Sequence, residues 1–142
     1  MTTFSRKCVP VTPFERELSR SKIAIVSAAG VHTRDQDPFN IADELGDLTF
    51  RLIPPDTESA DLMVTHHHYD HADADEDINV VFPLDALRDL AAEGFVGGLA
   101  AKHVGYMGYT MQLKAMYEGT APQIANEIDR GGRADAVILT GG

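Results

Sequence analysis

The chain of 142 residues carries 12 Lys and Arg against 22 Asp and Glu, a net charge of −10 at pH 7, and 44% of its residues are hydrophobic. That balance excludes wholesale disorder and argues against binding nucleic acid or an anionic membrane, both of which call for a basic surface. The length fits one domain with its own core, and the single thiol, Cys8, permits neither an intrachain disulfide nor a thiolate zinc cluster. With no apolar leader and no stretch of about 18 apolar residues, the chain reads as soluble and cytoplasmic.

Residues 1–21, with Pro10, Pro13 and mixed charges, read as an extended or mobile arm, and residues 22–142 as one domain. The first strand is predicted over Lys22-Ile23-Ala24-Ile25-Val26-Ser27, stopping at Ala29-Gly30, and a second over Phe50-Arg51-Leu52-Ile53, ended by Pro54-Pro55. Phe82-Pro83 introduces a helix whose Leu84, Leu87, Leu90 and Ala91 recur at helical spacing, with Gly94 placed to cap it. Residues 95–100 read as a third strand and residues 101–109 as the loop beyond it. A second amphipathic helix is expected after Thr120, with Pro122 in its first turn, Ala121, Ile124, Ala125 and Ile128 on one face, and Gly131-Gly132 as its stop. The last strand runs from Ala134 to Thr140.

Strands alternating with single helices predict an α/β fold with a mostly parallel open sheet and flanking helices. In such sheets ligands bind beyond the carboxyl ends of the strands. The rule nominates Gly30 and His32 after the first strand, His103 after the third, and Thr140, Gly141 and Gly142 after the last. His32 and His103 are the candidate catalytic side chains, and Gly30, Thr140, Gly141 and Gly142 the candidate substrate-binding positions. A domain ending on a parallel strand leaves an apolar edge to be covered, so a homo-oligomer is expected.

Charge gathers in one region: residues 56–77 hold eight acidic side chains and no Lys or Arg, together with His66, His67, His68 and His71. The pattern His66-x-His68-x-Asp70-His71 is a candidate site for zinc or another divalent metal, because imidazole and carboxylate are its common ligands. It resembles the zinc motif of the metallo-β-lactamase superfamily over seven residues, which implies a metal-dependent hydrolase. Against this stand the acidic residues 73–77 that follow and the single histidine, His103, that remains after His71. The other reading is a solvated acidic loop whose histidines pair with carboxylates or cap the backbone.

A second resemblance runs from about residue 22 to the end. It is carried by Ala28-Ala29-Gly30-Val31-His32 with Asp35-Gln36-Asp37-Pro38-Phe39-Asn40, by Arg51-Leu52-Ile53-Pro54, and by His68-Tyr69-Asp70-His71 with residues 73–79. Phe82-Pro83-Leu84-Asp85-Ala86-Leu87, Glu93-Gly94-Phe95-Val96-Gly97-Gly98 and His103-Val104-Gly105-Tyr106-Met107-Gly108 complete it. These segments resemble the N-terminal part of the selenoprotein B component of the glycine, sarcosine, betaine and D-proline reductases. The resemblance implies reductive cleavage of a carbon–nitrogen bond in a small amine. It also implies a partner subunit whose pyruvoyl carbonyl holds an amine as a Schiff base, and a selenocysteine or cysteine nucleophile just beyond the strand ending at Thr140. The step needs a low-pKa chalcogen, since the anion is the nucleophile.

No such residue lies within these 142, so the chain is expected to be catalytically silent alone and to break off just before its selenocysteine. A UGA codon after Gly142 followed by an open frame is the corresponding expectation for the gene. A deliberately cut fragment and a short paralogue acting as a non-enzymatic binding or assembly module are the alternatives.

Overall fold

The computed structural model describes residues 12–142, so Cys8 and the first half of the expected arm lie outside the described residues. In chain order the elements are β1 (Lys22–Ser27), β2 (Val31–Thr33), β3 (Phe50–Ile53), β4 (Leu62–Val64), α1 (Ala72–Glu76), α2 (Leu84–Ala92), β5 (Gly98–Leu99), β6 (His103–Tyr106), α3 (Leu113–Ala115), α4 (Ala121–Asn126) and β7 (Ala136–Thr140). The fold is α/β, with a mostly parallel sheet flanked by helices.

β1 is the centre of that sheet. Its apolar run is buried on both faces, the pattern of an inner parallel strand. Along one edge β7 pairs with it in parallel from Ile23↔Ala136 to Ser27↔Thr140. The other edge is shared by β5, at Lys22↔Gly98 and Ile23↔Leu99, and by β6, at Val26↔Val104 and Ser27↔Gly105. Four steps along β1, from Lys22 to Val26, are thus matched by six from Gly98 to Val104, which makes residues 100–103 a bulge. β3 closes that side antiparallel to β6.

One face of the sheet, with Ile23 and Ile25, packs on Phe82, Leu84 and Leu87 around α2 and on Val31 and Val64 of the small antiparallel β2–β4 pair. The opposite face, with Ala24, Val26 and Val104, packs on Ile124 and Ile128 of the second helical segment. Residues 16–21 lie against the sheet's amino end: Arg16 pairs with Asp135, and Gly97 N–H donates to the Leu18 and Ser21 carbonyls. Among the described residues, no helix is long and apolar enough to cross a membrane.

Three expectations shift. The strand predicted over residues 95–100 shrinks to Gly98–Leu99, and the expected loop after it contains β6. Gly105 misleads there, because its glycine serves a close approach: a side chain would run into the Val31 carbonyl of the overlying β2. The second helical segment begins before Thr120, at Leu113, so Pro122 lies inside it. Proline cannot donate to the preceding turn, and the chain widens into a π turn over Met116–Thr120, where Ala121 N–H reaches the Met116 carbonyl. α2 is as predicted, closed by Gly94 at φ 80° with Phe95 N–H on the Leu90 carbonyl at 2.9 Å, although Leu90 itself faces solvent.

Candidate functional site at the carboxyl end of the sheet

The carboxyl ends of β1, β6 and β7 are tied together by main-chain bonds. Ala28 N–H donates to the Thr140 carbonyl at 2.9 Å, Gly108 N–H to Ala28 at 2.8 Å, and Gly30 N–H to Tyr106 at 2.9 Å. The hydroxyls of Ser27 and Thr140 both donate to the Val81 carbonyl, at 3.0 and 2.6 Å. Thr140 is therefore engaged in holding β1 and β7 to the turn before α2.

Gly30 has a specific task. At φ 76° it occupies left-handed backbone, its carbonyl accepts from Thr65 N–H at 2.9 Å, and a side chain there would strike the Thr65 carbonyl. Its bareness lets the segment after β4 cross the sheet end. Gly141 has open space where a side chain would stand, while one on Gly142 would touch the Tyr69 ring at 2.6 Å.

The crossing segment brings a run of rings. Tyr69 hydroxyl donates to the Ala29 carbonyl at 3.0 Å, and His66 leans edge-on against the Tyr69 ring with centroids 4.8 Å apart. His68 lies between His67, at 3.9 Å, and Tyr109, at 3.4 Å and nearly parallel, so its stack joins the segment after β4 to the one after β6. His66 is buried, and its Nδ1 accepts from His68 N–H at 3.1 Å, which leaves the proton of the neutral ring on Nε2. Burial, then the charges of His68, His67 and His71, hold His66 below the ordinary histidine range. His68 is also lowered, by desolvation and by His67. At neutral pH both rings are accordingly uncharged. Burial raises the Tyr69 hydroxyl, assisted by Asp75, so it stays protonated.

The expected metal set does not assemble. His71 Nδ1 pairs with Asp75 at 2.9 Å, Asp70 accepts from Ala72 N–H at 3.1 Å at the start of α1, His66 turns inward and His68 stacks on Tyr109. Among the described residues, no group of three or more His, Cys, Asp or Glu is placed to hold a metal ion. The zinc-hydrolase expectation loses its ligand set because these side chains are engaged in local pairing, in the start of α1 and in ring packing.

His32 and His103 are both buried. His32 lies in β2, where Nδ1 donates to the Thr33 carbonyl at 2.8 Å, Nε2 meets the Thr65 hydroxyl at 2.8 Å, and Phe39 packs on the ring. It braces the β2–β4 pair from within. His103 Nδ1 accepts from Ile25 N–H at 2.9 Å, standing in for the carbonyl that the bulge has displaced, so the proton sits on Nε2, which is buried and has no partner among the described residues. Burial, with some help from Arg88, depresses its pKa from 6.5 to about 4. The strand-end rule thus points to an end of the sheet where β1, β6 and β7 meet. The side chains that line it are Tyr69, Tyr109 and the imidazoles between them, and the density of rings in residues 66–69 was the signal for them. Met107, between Tyr106 and Tyr109, is fully buried in the core.

Clefts elsewhere among the described residues include one of about 320 Å³ beside Ser59, Asp75 and Asp85, one of about 570 Å³ beside Asp35, Leu52 and Asp61, and one of about 500 Å³ beside Met111, Leu113 and Glu118. None of these includes the strand-end rings.

A profile described as glycine/sarcosine/betaine reductase selenoprotein B matches residues 1–142. The D-proline reductase subunit gamma of Acetoanaerobium sticklandii is 44% identical over 131 residues, covering 92% of this chain and 52% of that protein. The sarcosine reductase complex component B subunit beta of Peptoclostridium acidaminophilum is 34% identical over 110 residues, 76% of this chain and 25% of that one. The glycine reductase complex component B subunit gamma of Carboxydothermus hydrogenoformans is 32% identical over 144 residues, 99% of this chain and 32% of that one. The chain therefore spans about half the length of the first of these and a third or less of the others. No solved structure matches it significantly.

Proposed function

The chain belongs to the glycine/sarcosine/betaine reductase selenoprotein B family, and on that premise we propose that it forms the amino-terminal scaffold of a component that reductively cleaves a carbon–nitrogen bond in a small amino acid. The match over residues 1–142 carries this reading. A cyclic secondary amine of the D-proline type is the favoured substrate, because identity to the D-proline reductase subunit is 44% against 34% and 32% for the sarcosine and glycine reductase subunits. Partner subunits follow from the relatives, two of which are named as parts of reductase complexes; one of the partners is taken to supply a pyruvoyl carbonyl. The site of action is taken to be the cytoplasm.

The residues present fit a nucleophile carried just after β7. Side-chain space is open at Gly141, and Gly142 rests against Tyr69 rather than in the core. A selenocysteine or cysteine there would supply an anionic chalcogen that bonds to carbon as the carbon–nitrogen bond breaks and nitrogen leaves as the amine; a dithiol would then take the chalcogen off, the carbon gaining a proton and the dithiol ending as a disulfide. This chain's own residues prepare the place. Ser27, Thr140 and the Val81 carbonyl fix the strand ends, Gly30 lets the Thr65 segment close over them, and the uncharged imidazole of His66 offers an N–H donor without bringing a competing acceptor. His32 and His103 are assigned positioning roles, His32 bracing the β2–β4 pair through Thr65 and His103 tying β6 to Ile25 of β1, and Thr140, Gly141 and Gly142 shape the floor.

The test is reconstitution. The chain, extended past Gly142 through its cysteine or selenocysteine, is combined with its purified partner subunits, a dithiol, and D-proline, sarcosine or glycine in parallel. Ring opening of D-proline to a linear ω-amino acid is expected, with little release of amine from the other two. A complex that assembles yet turns over none of the three overturns the reading.

A further inference from the structure

Beside the strand end, the chain exposes apolar side chains that neither the core nor the proposed reaction uses. Leu45, Met111 and Leu113 are exposed by 53, 66 and 72%, and Tyr117 is exposed one turn beyond Leu113. They come from two segments that the fold locks together. The Leu45 carbonyl accepts from Met111 N–H at 2.9 Å and from the Thr110 hydroxyl at 3.1 Å, and the Gly46 carbonyl accepts from the Gln112 amide at 3.3 Å. Gly46 stands in left-handed backbone at φ 88°, and a side chain on it would strike the Tyr109 carbonyl, so the two segments approach only because it is bare. Met111 and Leu113 line the cleft of about 500 Å³, which Lys114 and Glu118 border. An apolar patch on a backbone already fixed costs little further ordering when another surface covers it.

We propose that Leu45, Met111 and Leu113 form the docking surface for a partner subunit that presents an apolar side chain to the cleft within a rim of Lys or Arg. This rests on the reading that the chain works inside a reductase of several subunits. Charge selects the occupant. Asp43 and Glu44 immediately precede Leu45, and the one cation at the cleft, Lys114, is already met by Glu118 at 4.0 Å, on a chain whose net charge is −10. A basic rim is drawn to such a border and an acidic one is repelled. A second copy of this chain is disfavoured for that reason, because a two-fold contact sets the same carboxylates against themselves. Position supports the same occupant. The Tyr109 ring stacks on His68 at 3.4 Å while its hydroxyl donates to the Glu44 carbonyl at 3.5 Å, so one side chain joins the patch to the strand-end rings. A partner seated on the patch therefore stands beside the candidate site.

The experiment measures binding of each purified partner subunit to the 142-residue chain, and to the chain extended past Gly142, by biolayer interferometry at low and high salt. One subunit is expected to bind the parent, and to bind it less well at high salt. Met111→Asp and Leu113→Asp should each weaken that binding by about tenfold or more, and Glu44→Lys by less while flattening the salt dependence. Phe95→Asp, which charges a side chain equally exposed but placed after α2, should bind as the parent does. All four positions are exposed, so urea unfolding of each variant should match the parent and separate a lost contact from a lost fold. Undiminished binding by Met111→Asp and Leu113→Asp, or no subunit binding to the parent, overturns the docking surface. A parent dimer that Leu113→Asp converts to monomer, with partner binding unchanged, overturns it in favour of a second copy. Destabilisation by Leu113→Asp in the extended chain alone overturns it in favour of that chain's own later residues. Turnover is read separately: a complex that assembles through the patch yet turns over none of the three amino acids removes the proposed reaction alone. Turnover in a complex indifferent to the patch variants removes the docking surface alone.

Discussion

β1 and β7 are neighbours with almost the same composition, Ile-Ala-Ile-Val-Ser against Ala-Val-Ile-Leu-Thr in matched register, yet they end in opposite surroundings. β1 has strands on both edges and side chains packed on both faces. β7 has β1 on one edge and leaves Val137, Ile138 and Leu139 exposed by 42, 38 and 77%. Composition alone therefore says what a strand would bury, and topology decides whether there is anything to bury it against. Among the described residues β7 pairs along one edge only, and three of its apolar side chains stay partly or largely exposed.

The largest effect expected from that comparison comes from truncating matched residues. Ile25→Ala in β1 empties a fully enclosed site and should cost about 2–5 kcal/mol, whereas Ile138→Ala in β7, directly opposite it, should cost under about 1 kcal/mol. Urea unfolding of the two variants measures both. Equal costs would mean that β7 is covered in solution as completely as β1.

The next effect concerns how β1 obtains its burial. At the bulge its Ile25 N–H is satisfied by the His103 imidazole, which must be neutral to accept. The folded pKa of about 4 lies below the ordinary 6.5, so as pH falls the unfolded chain takes the proton first. The stabilisation is complete above about pH 6.5, declines as pH drops, and is lost on reaching about pH 4; the whole span is worth about 3 kcal/mol. His66 and His68, lowered for their own reasons, slope the same way. Asp35, Asp47 and Asp85 have lowered values and lose their contribution only at lower pH. Unfolding curves at pH 7 and pH 4.5 should therefore differ by more in the parent than in His103→Leu. A variant as acid-sensitive as the parent would show that His103 is not the group responsible.

Much of this architecture was legible in the residues. β1, β3, α2 and β7 announce themselves because each is a contiguous apolar or periodic segment bounded by proline, glycine or a cap. β2, β4 and β6 are three or four residues long and owe their conformation to partners far away in sequence, so local pattern carries little of them. The family resemblance rested on such distant segments and proved sound over the whole chain. For the candidate site, the rule that points to strand ends needs only the order of strands. Assigning His32 and His103 to the opening failed as geometry because a histidine beside a strand end can turn inward as easily as outward, and both turn inward. The metal pattern failed for a similar reason: spacing in sequence fixed which side chains were near one another but not that Asp75 and the Ala72 N–H would compete for two of them.

The smallest expected effect on stability is also the most discriminating for assembly. Leu139→Lys places a charge on the most exposed side chain of β7, where nothing in the folded chain is displaced, so unfolding free energy should change by no more than about 0.5 kcal/mol. If the bare strand is a contact surface, the same charge must be desolvated whenever another chain covers it, which disfavours contact far more strongly than it disturbs the monomer. Sedimentation velocity over a range of concentrations should then show self-association in the parent and a shift toward monomer in the variant. The pairing edge itself lies in the backbone and is untouched by the substitution, so an unchanged distribution would move the interface off the face bearing Val137 and Leu139 and onto the edge or the Ile138 face. That result would leave the contrast between β1 and β7 intact while reassigning which part of β7 other chains use.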